Sequence, residues 1–171
     1  MGLTRELGYE HKPPNPFQRL VRRISATRPG AWLLSKTLYL LDKPLYRISR
    51  GQLTVPGVMA GLPVIMLTTT GARSGKARAT PLVGVPVAGD LAVVGTNYGQ
   101  SHTPGWVHNL EADPSATVGF RDRTVPVTAR PADEDETNEI FALAATVYAG
   151  YSTYRERTDR RIRAFVLEPA D

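Results

Sequence analysis

The sequence predicts a small antiparallel β-barrel with flanking helices, a mainly β fold of the α+β class. Three observations carry this. About six segments read as strands. Two of the connections between them are short enough for tight hairpins. Strands do not alternate regularly with helices, which argues against a doubly wound parallel sheet. Closing a small sheet on itself removes most of its exposed edges.

The elements follow in chain order. Residues 1–14 read as a frayed lead-in ending in Pro13 and Pro14. Asn15 then caps a helix with Pro16 at its first position. Phe17, Leu20, Val21 and Ile24 form one apolar stripe, and Arg19, Arg22 and Arg23 take the other face. Pro29 and Gly30 stop it, and a second apolar helix is expected over residues 31–41. From Leu62 the period changes. Residues 64–70 read as a buried strand, and residues 71–76 as a polar, glycine-bounded loop. Residues 79–87 read as the next strand. Pro81 and Pro86 lack an N–H, so they argue for edge positions or bulges there. Ala88, Gly89 and Asp90 turn tightly into a strand over 91–96. Thr103 is expected to cap a short helix with Pro104 at its first position. Residues 114–120 and 124–130 form a second hairpin around Arg121, Asp122 and Arg123. Asp133 followed by Glu136 resembles the start of a capping box. Residues 147–157 are aromatic and helical or turn-like, and residues 162–167 make a last strand.

The chain has 171 residues, enough for one well-cored domain. With 42% apolar and 22% charged residues it is neither disordered nor membrane-embedded in composition. It has no cysteine, which excludes disulfide scaffolds, thiolate metal sites and cysteine nucleophiles. Its 3 histidines, at 11, 102 and 108, are scattered, unlike a histidine metal site. The charge is uneven. Residues 1–50 carry ten Lys/Arg against three Asp/Glu, a net +7, while the remainder carries eleven against thirteen, a net −2. The division expected is therefore a basic amphipathic helical segment, 1–50, and a barrel domain, 51–171. The basic segment suits an anionic membrane surface or a solvated helix face. It lacks any recognisable nucleic-acid module, so no nucleic-acid partner is expected. No stretch reads as a signal peptide, and the longest apolar run, residues 55–67, is too short to span a bilayer. The expected location is cytoplasmic, with peripheral membrane contact through residues 1–50 left open.

Three places carry chemistry. The first is Gly71-Ala72-Arg73-Ser74-Gly75-Lys76-Ala77-Arg78. Backbone N–H groups of a glycine-rich turn can cradle an anion, and arginine offers a planar fork to phosphate or carboxylate. It is not a Walker A loop, because its glycines are too close and Ala77 replaces the Ser/Thr. Its bland reading is a solvated turn. The second is Pro104-Gly105-Trp106-Val107-His108-Asn109-Leu110. Trp106 offers a flat apolar wall, and His108 and Asn109 offer polar contacts. Its bland reading makes Trp106 and Leu110 core anchors and His108 a satisfied surface residue. The third is Tyr148, Tyr151 and Tyr154, spaced to share one helical face. It reads as a pocket wall of phenols or as a packing face.

In combination these segments resemble the deazaflavin-dependent nitroreductase family. The matching stretches are residues 67–82, residues 99–114 and residues 151–160, from Tyr151 to Arg160. The resemblance implies a split β-barrel related to the flavin-binding, pyridoxamine-oxidase-like fold. It also implies coenzyme F420, an 8-hydroxy-5-deazaflavin with a phosphate and an oligoglutamate tail; FMN is the alternative cofactor on that fold. By the match, Arg73, Ser74, Lys76 and Arg78 hold the phosphate and tail. Thr80, Pro81 and Leu82 lie along the cofactor, as do Val94, Gly95, Thr96 and Asn97. Gly105, Trp106, Val107, His108 and Asn109 close over it. Tyr151 sits near the reactive face as the catalytic residue, and Tyr148 and Tyr154 shape the substrate pocket. Two departures stand out. Ala72 replaces a basic residue common in the family, and Arg161-Ile162-Arg163 lacks the usual Ile-Pro pair. The activity implied is hydride transfer from the reduced deazaflavin to a quinone or nitro compound. A non-catalytic deazaflavin carrier and a membrane-peripheral lipid-binding module are the alternatives. Related barrels are often homodimers.

Overall fold

A computed structural model describes residues 2–10, 15–16, 18–20 and 61–170. The expected helix over 31–41, the first helix beyond Leu20 and the division at residue 50 lie outside the described residues.

A seven-stranded, wholly antiparallel sheet organises the chain. Its strands are β1 (Val64–Thr70), β2 (Ala77–Val83), β3 (Val85–Val87), β4 (Asp90–Val94), β5 (Ser115–Phe120), β6 (Arg123–Pro131) and β7 (Ala164–Pro169). Their order is β2-β1-β5-β6-β7-β4-β3. The two edge strands, β2 and β3, are neighbours in sequence, separated only by Gly84. The sheet must therefore curl until its edges meet there, giving a half-barrel of seven strands where about six were expected. The added strand comes from residues 79–87. Gly84 breaks this run by donating its N–H to Pro63 O at 3.1 Å, off the ladder, while its carbonyl accepts the Tyr9 hydroxyl at 2.7 Å. Pro81 and Pro86 lie on the two edges, where a missing N–H costs no interior ladder bond.

Strand period two divides the burial between two cores. Leu91 and Val93 of β4, with Phe165 and Leu167 of β7, face the barrel interior beside Ile65, Leu67 and Val118. The alternate residues, Ala92, Val94, Ala164 and Val166, face outward. They are covered by α3 (Glu134–Val147) and α4 (Gly150–Glu156), through Ile140, Phe141, Ala144 and the three tyrosines. The interior also receives Trp106, Val107 and Leu110 of α2 (Gly105–Ala112).

Residues 2–10 are not a frayed lead-in. They form a single-turn helix, α1 (Leu3–Glu6), whose Leu3 and the following Leu7 are 0% and 2% exposed in the interior core. Thr4 donates its N–H and its hydroxyl to Gly89 O at 3.0 and 2.6 Å, and Leu3 N–H reaches Asp90 Oδ1 at 2.9 Å. The anchor is the β3–β4 turn, where Ala88 and Gly89 both have positive φ (49° and 96°), as a type I′ hairpin demands.

Two expected caps form. Asn15 Oδ1 accepts Gln18 N–H at 2.8 Å, and Gln18 Oε1 accepts Asn15 N–H at 3.0 Å, a reciprocal capping box. Asp133 Oδ1 accepts Glu136 N–H at 2.8 Å. The Glu136 carboxylate does not reach back, because it makes a forked pair with Arg130 at 2.8 Å on both oxygens. Thr103 is not a cap: Pro104, in extended conformation, occupies that position, and α2 starts one residue later than expected.

Candidate functional site

The Gly71–Lys76 turn closes on itself. Gly71 N–H donates to Lys76 O at 2.9 Å, and Ser74 and Gly75 N–H donate to Gly71 O at 3.0 and 2.8 Å. Gly75 takes φ +62°, with open space where a side chain would start. Gly71 is tight: a Cβ there would lie 2.7 Å from Ser74 Oγ. Ser74, Arg73, Lys76 and Arg78 are all exposed. Among the described residues none of these three cations pairs with a carboxylate. Elsewhere arginines are engaged: Arg130 with Glu136 and Glu168, and Arg163 with Glu111 at 2.7 Å.

Asn109 joins this turn to the second candidate. From α2 its Oδ1 accepts Ala72 N–H at 3.0 Å, and its Nδ2 donates to Thr69 Oγ1 at 2.9 Å. Thr69 is buried at the end of β1. The Asn109 amide therefore fixes strand, turn and helix together. Trp106, Val107 and Leu110 are core side chains, Trp106 edge-on to Phe165 with centroids 6.0 Å apart. His108 is exposed beside Glu111, Nδ1 to Oε2 at 3.4 Å. Trp106 and Leu110 thus pack in the core, and His108 lies on the surface. Gly105 stands at the helix start with no atom near the place of a Cβ.

Along β2, Thr80 and Leu82 lie opposite the inward-facing Leu67 and Ile65, while Pro81 lies opposite Met66 on the other face. These three therefore do not share one surface. Val94 packs outward under α3 and α4. Gly95 passes so close to α2 that a Cβ would lie 2.9 Å from Val107 Cγ2. Beyond it the chain turns sharply. Asn97, Tyr98 and Gly99 all have positive φ (47°, 57° and 76°). Asn97 Nδ2 contacts His102 Nε2 at 2.9 Å and donates to His102 O at 3.2 Å. Arg160, half-buried, clasps the same loop. Its Nη2 donates to Gly95 O and Thr96 O at 2.7 and 2.8 Å, and its Nε to Gln100 O at 3.1 Å. Burial, then the charge of Arg163, lowers the Arg160 pKa from the usual arginine value.

The tyrosines meet, though not on one helical face. Tyr148 is the extended cap that ends α3, and Tyr151 and Tyr154 lie on α4. Their centroids are 6.1–6.4 Å apart, and Tyr98 stands edge-on to Tyr154 at 5.8 Å. Burial pushes the Tyr151 and Tyr154 phenols well above the usual tyrosine range, so both stay protonated. The Tyr148 and Tyr154 hydroxyls face each other at 3.4 Å. Tyr151 is buried at 6% exposure, and its hydroxyl makes no hydrogen bond to another of the described residues.

One contiguous run of contacts thus connects the cationic turn, α2, the loop 95–100 and the tyrosines. Sequence reasoning missed Thr69, Tyr98, His102 and Arg160. Thr69, His102 and Arg160 fall within the stretches that carry the resemblance, but nothing in an arginine-rich run marks which guanidinium turns inward. A groove of about 460 Å³ lies elsewhere, lined by Leu110, Pro114, Ile162 and Phe165 among others, and none of the sequence-predicted site residues borders it.

Comparison with known proteins places this curled antiparallel sheet among cofactor-dependent oxidoreductases of the deazaflavin type. Residues 41–169 match the model of one family, F420H(2)-dependent quinone reductase, and the chain belongs to it. It is 29% identical over 135 residues to the F420H(2)-dependent quinone reductase of Mycobacterium tuberculosis, covering 76% of this chain and 89% of that one. Among solved structures it resembles an F420-H2 dependent reductase, FDR-A, at 37% identity and TM-score 0.57, covering 62% of this chain and 94% of the other. It also resembles a protein described as a domain-swapped dimer, at 33% identity and TM-score 0.58, covering 82% and 99%. The expectation of an F420-dependent oxidoreductase is met, and the family's name specifies quinones as acceptors.

Proposed function

We propose that this chain reduces a quinone, or an activated nitro compound, with electrons from reduced coenzyme F420. The observation that carries the cofactor assignment is the Gly71–Lys76 turn: three exposed cations without carboxylate partners among the described residues, on a backbone that Asn109 holds rigid. That donor set fits a phosphate and a polycarboxylate tail. When bound, the deazaflavin supplies the hydride.

The chain's own residues do the rest. Arg73, Ser74, Lys76 and Arg78 bind the phosphate and tail. Gly95, Thr96 and Asn97 flank the ring system, and the start of α2 at Gly105 leaves room for it. Thr80, Pro81 and Leu82 supply the strand beside it. Tyr151, held neutral by its burial, donates a hydrogen bond to the acceptor oxygen as negative charge develops there. Tyr148 and Tyr154 form the apolar wall behind it. A second copy of the chain completing the pocket would make the working form a homodimer.

The test is a titration of the protein with oxidised coenzyme F420, followed by turnover of its reduced form with a quinone and with a nitroaromatic. Replacing Arg73, Lys76 and Arg78 together by glutamine removes three exposed contacts, each worth about 0.5–1 kcal/mol, so affinity falls about 10- to 100-fold. The fold is unaffected, because the three make no internal ion pair among the described residues. Unchanged affinity overturns the anion assignment. Tight binding without turnover on either acceptor supports the carrier reading instead.

A further inference from the structure

We propose that Arg160 is the positioning residue for the loop 95–100, and that it governs affinity for the deazaflavin ring rather than for the anionic tail. The inference rests on the cofactor reading above and deepens it.

Three backbone carbonyls, those of Gly95, Thr96 and Gln100, converge on one guanidinium at 2.7, 2.8 and 3.1 Å. Carbonyl oxygens aimed at one point repel each other unless a cation sits between them. Only arginine presents several donors in a fixed planar fork that meets them together. The loop also needs holding. Asn97 and Tyr98 are side-chain-bearing residues in the left-handed region, at φ 47° and 57°, a conformation that persists only where the surroundings impose it. Of the neighbouring arginines, Arg155 donates to Asn138 and Arg163 pairs with Glu111, while Arg157 packs its aliphatic stem against Gly99 with its guanidinium over the Tyr154 ring and donates to none of these three carbonyls in the bonds described.

Among the described residues the loop stands apart from the cationic turn and is connected to it through α2. On one side Gly95 abuts Val107, and on the other Tyr98 abuts Tyr154. It therefore borders the body of the cofactor and the acceptor side, while the tail belongs to Arg73, Lys76 and Arg78. Releasing the clamp lowers the fraction of protein with the loop in its cofactor-facing form. Apparent dissociation constants rise by the inverse of that fraction, so a loop correctly placed one-tenth of the time gives a loss of about tenfold. Once cofactor is bound the loop is held, and the rate at saturation is kept.

The experiment uses Arg160→Gln and Arg160→Lys in the full chain. Binding is measured for coenzyme F420 and for the tailless 8-hydroxy-5-deazaflavin, and amide hydrogen exchange is followed in the cofactor-free protein. Arg160→Gln is expected to weaken both ligands by the same factor, about tenfold or more, and to speed exchange over residues 97–102. KM for the reduced cofactor rises in step while kcat holds within about twofold. Arg160→Lys keeps the charge without the fork and falls between. It also carries the test should Arg160→Gln not fold. Unchanged affinity in a folded variant, or a loss confined to the tailed cofactor, overturns the proposal. Wild-type protein that binds neither ligand overturns the cofactor reading first, and this inference with it.

Discussion

Replacing Asn109 by alanine tests whether one amide holds the cationic turn to the barrel. Its Nδ2 donates to Thr69 Oγ1 at 2.9 Å and its Oδ1 accepts Ala72 N–H at 3.0 Å. Thr69 is 2% exposed, so its hydroxyl loses its partner where water does not easily replace it. A stranded buried group costs about 1–3 kcal/mol. Ala72 is exposed, so its N–H returns to water at little cost. For a chain of this length each kcal/mol moves the melting temperature by about 2–4 °C, so a fall of about 2–12 °C is expected. Adding Thr69→Val to Asn109→Leu removes both polar groups and recovers part of that loss, since an apolar pair leaves nothing stranded. It does not restore the turn. Ala72 amide exchange therefore stays fast in the double variant, and affinity for the anionic cofactor stays low. Melting within a degree of wild type in Asn109→Ala, with Ala72 exchange unchanged, would refute the reasoning.

The other predictions concern the scaffold and its tyrosines. Leu7→Ala empties a fully enclosed core position and should cost about 2–5 kcal/mol in urea unfolding, whereas a frayed terminus would show no change. Gly95→Ala sets a methyl 2.9 Å from Val107 Cγ2, so it should lower stability by about 1–3 kcal/mol, with partial rescue by Val107→Ala in the same melts. The Tyr9, Tyr151 and Tyr154 phenols are all raised by burial above the ordinary value. A raised folded-state pKa means that their stabilising contribution is complete below about pH 10 and is lost as pH rises beyond it. Melting temperature should therefore fall above that pH, less steeply in Tyr154→Phe, and tyrosinate absorbance should appear together with unfolding.

Much of the sheet was legible because strand period two is a local signal. Leu91 and Val93 against Ala92 and Val94 announce two faces, and both faces are buried. The bounds of β1 follow from a run rich in β-branched residues, Val64, Ile65, Thr68, Thr69 and Thr70. What escaped depended on tertiary contact. Leu3 and Leu7 make a single turn, too short to be stable alone, which forms only because the barrel offers a place for two leucines. Gly84 looked like the middle of a strand because nothing local shows that Pro63 and Tyr9 would take its backbone groups. Tyr148 has the spacing of a helical neighbour of Tyr151, yet it adopts an extended cap, because α3 ends at Val147 and a new helix starts at Gly150. The cationic turn was readable by residue type, while its rigid mounting on Asn109 was not. The resemblance places Asn109 among the residues that close over the cofactor, and in the structure both ends of its amide bond the protein itself.

The distribution of partners divides the site into two kinds of residue. Asn109, Thr69, Asn97 and Arg160 spend their hydrogen bonds on the protein and fix where the backbone lies. Arg73, Lys76, Arg78 and the Tyr151 hydroxyl spend none among the described residues, and these are the groups whose chemistry matches an anionic tail and an acceptor oxygen. Arg130 and Arg163, by contrast, pair with carboxylates. Free donors on rigid mountings instead lower the ordering cost of binding, because the geometry is set before the ligand arrives. Substitutions in the two groups should therefore separate. Those in the first change stability and affinity together. Those in the second change affinity alone, and any member of the second group whose loss unfolds the chain does not belong to it.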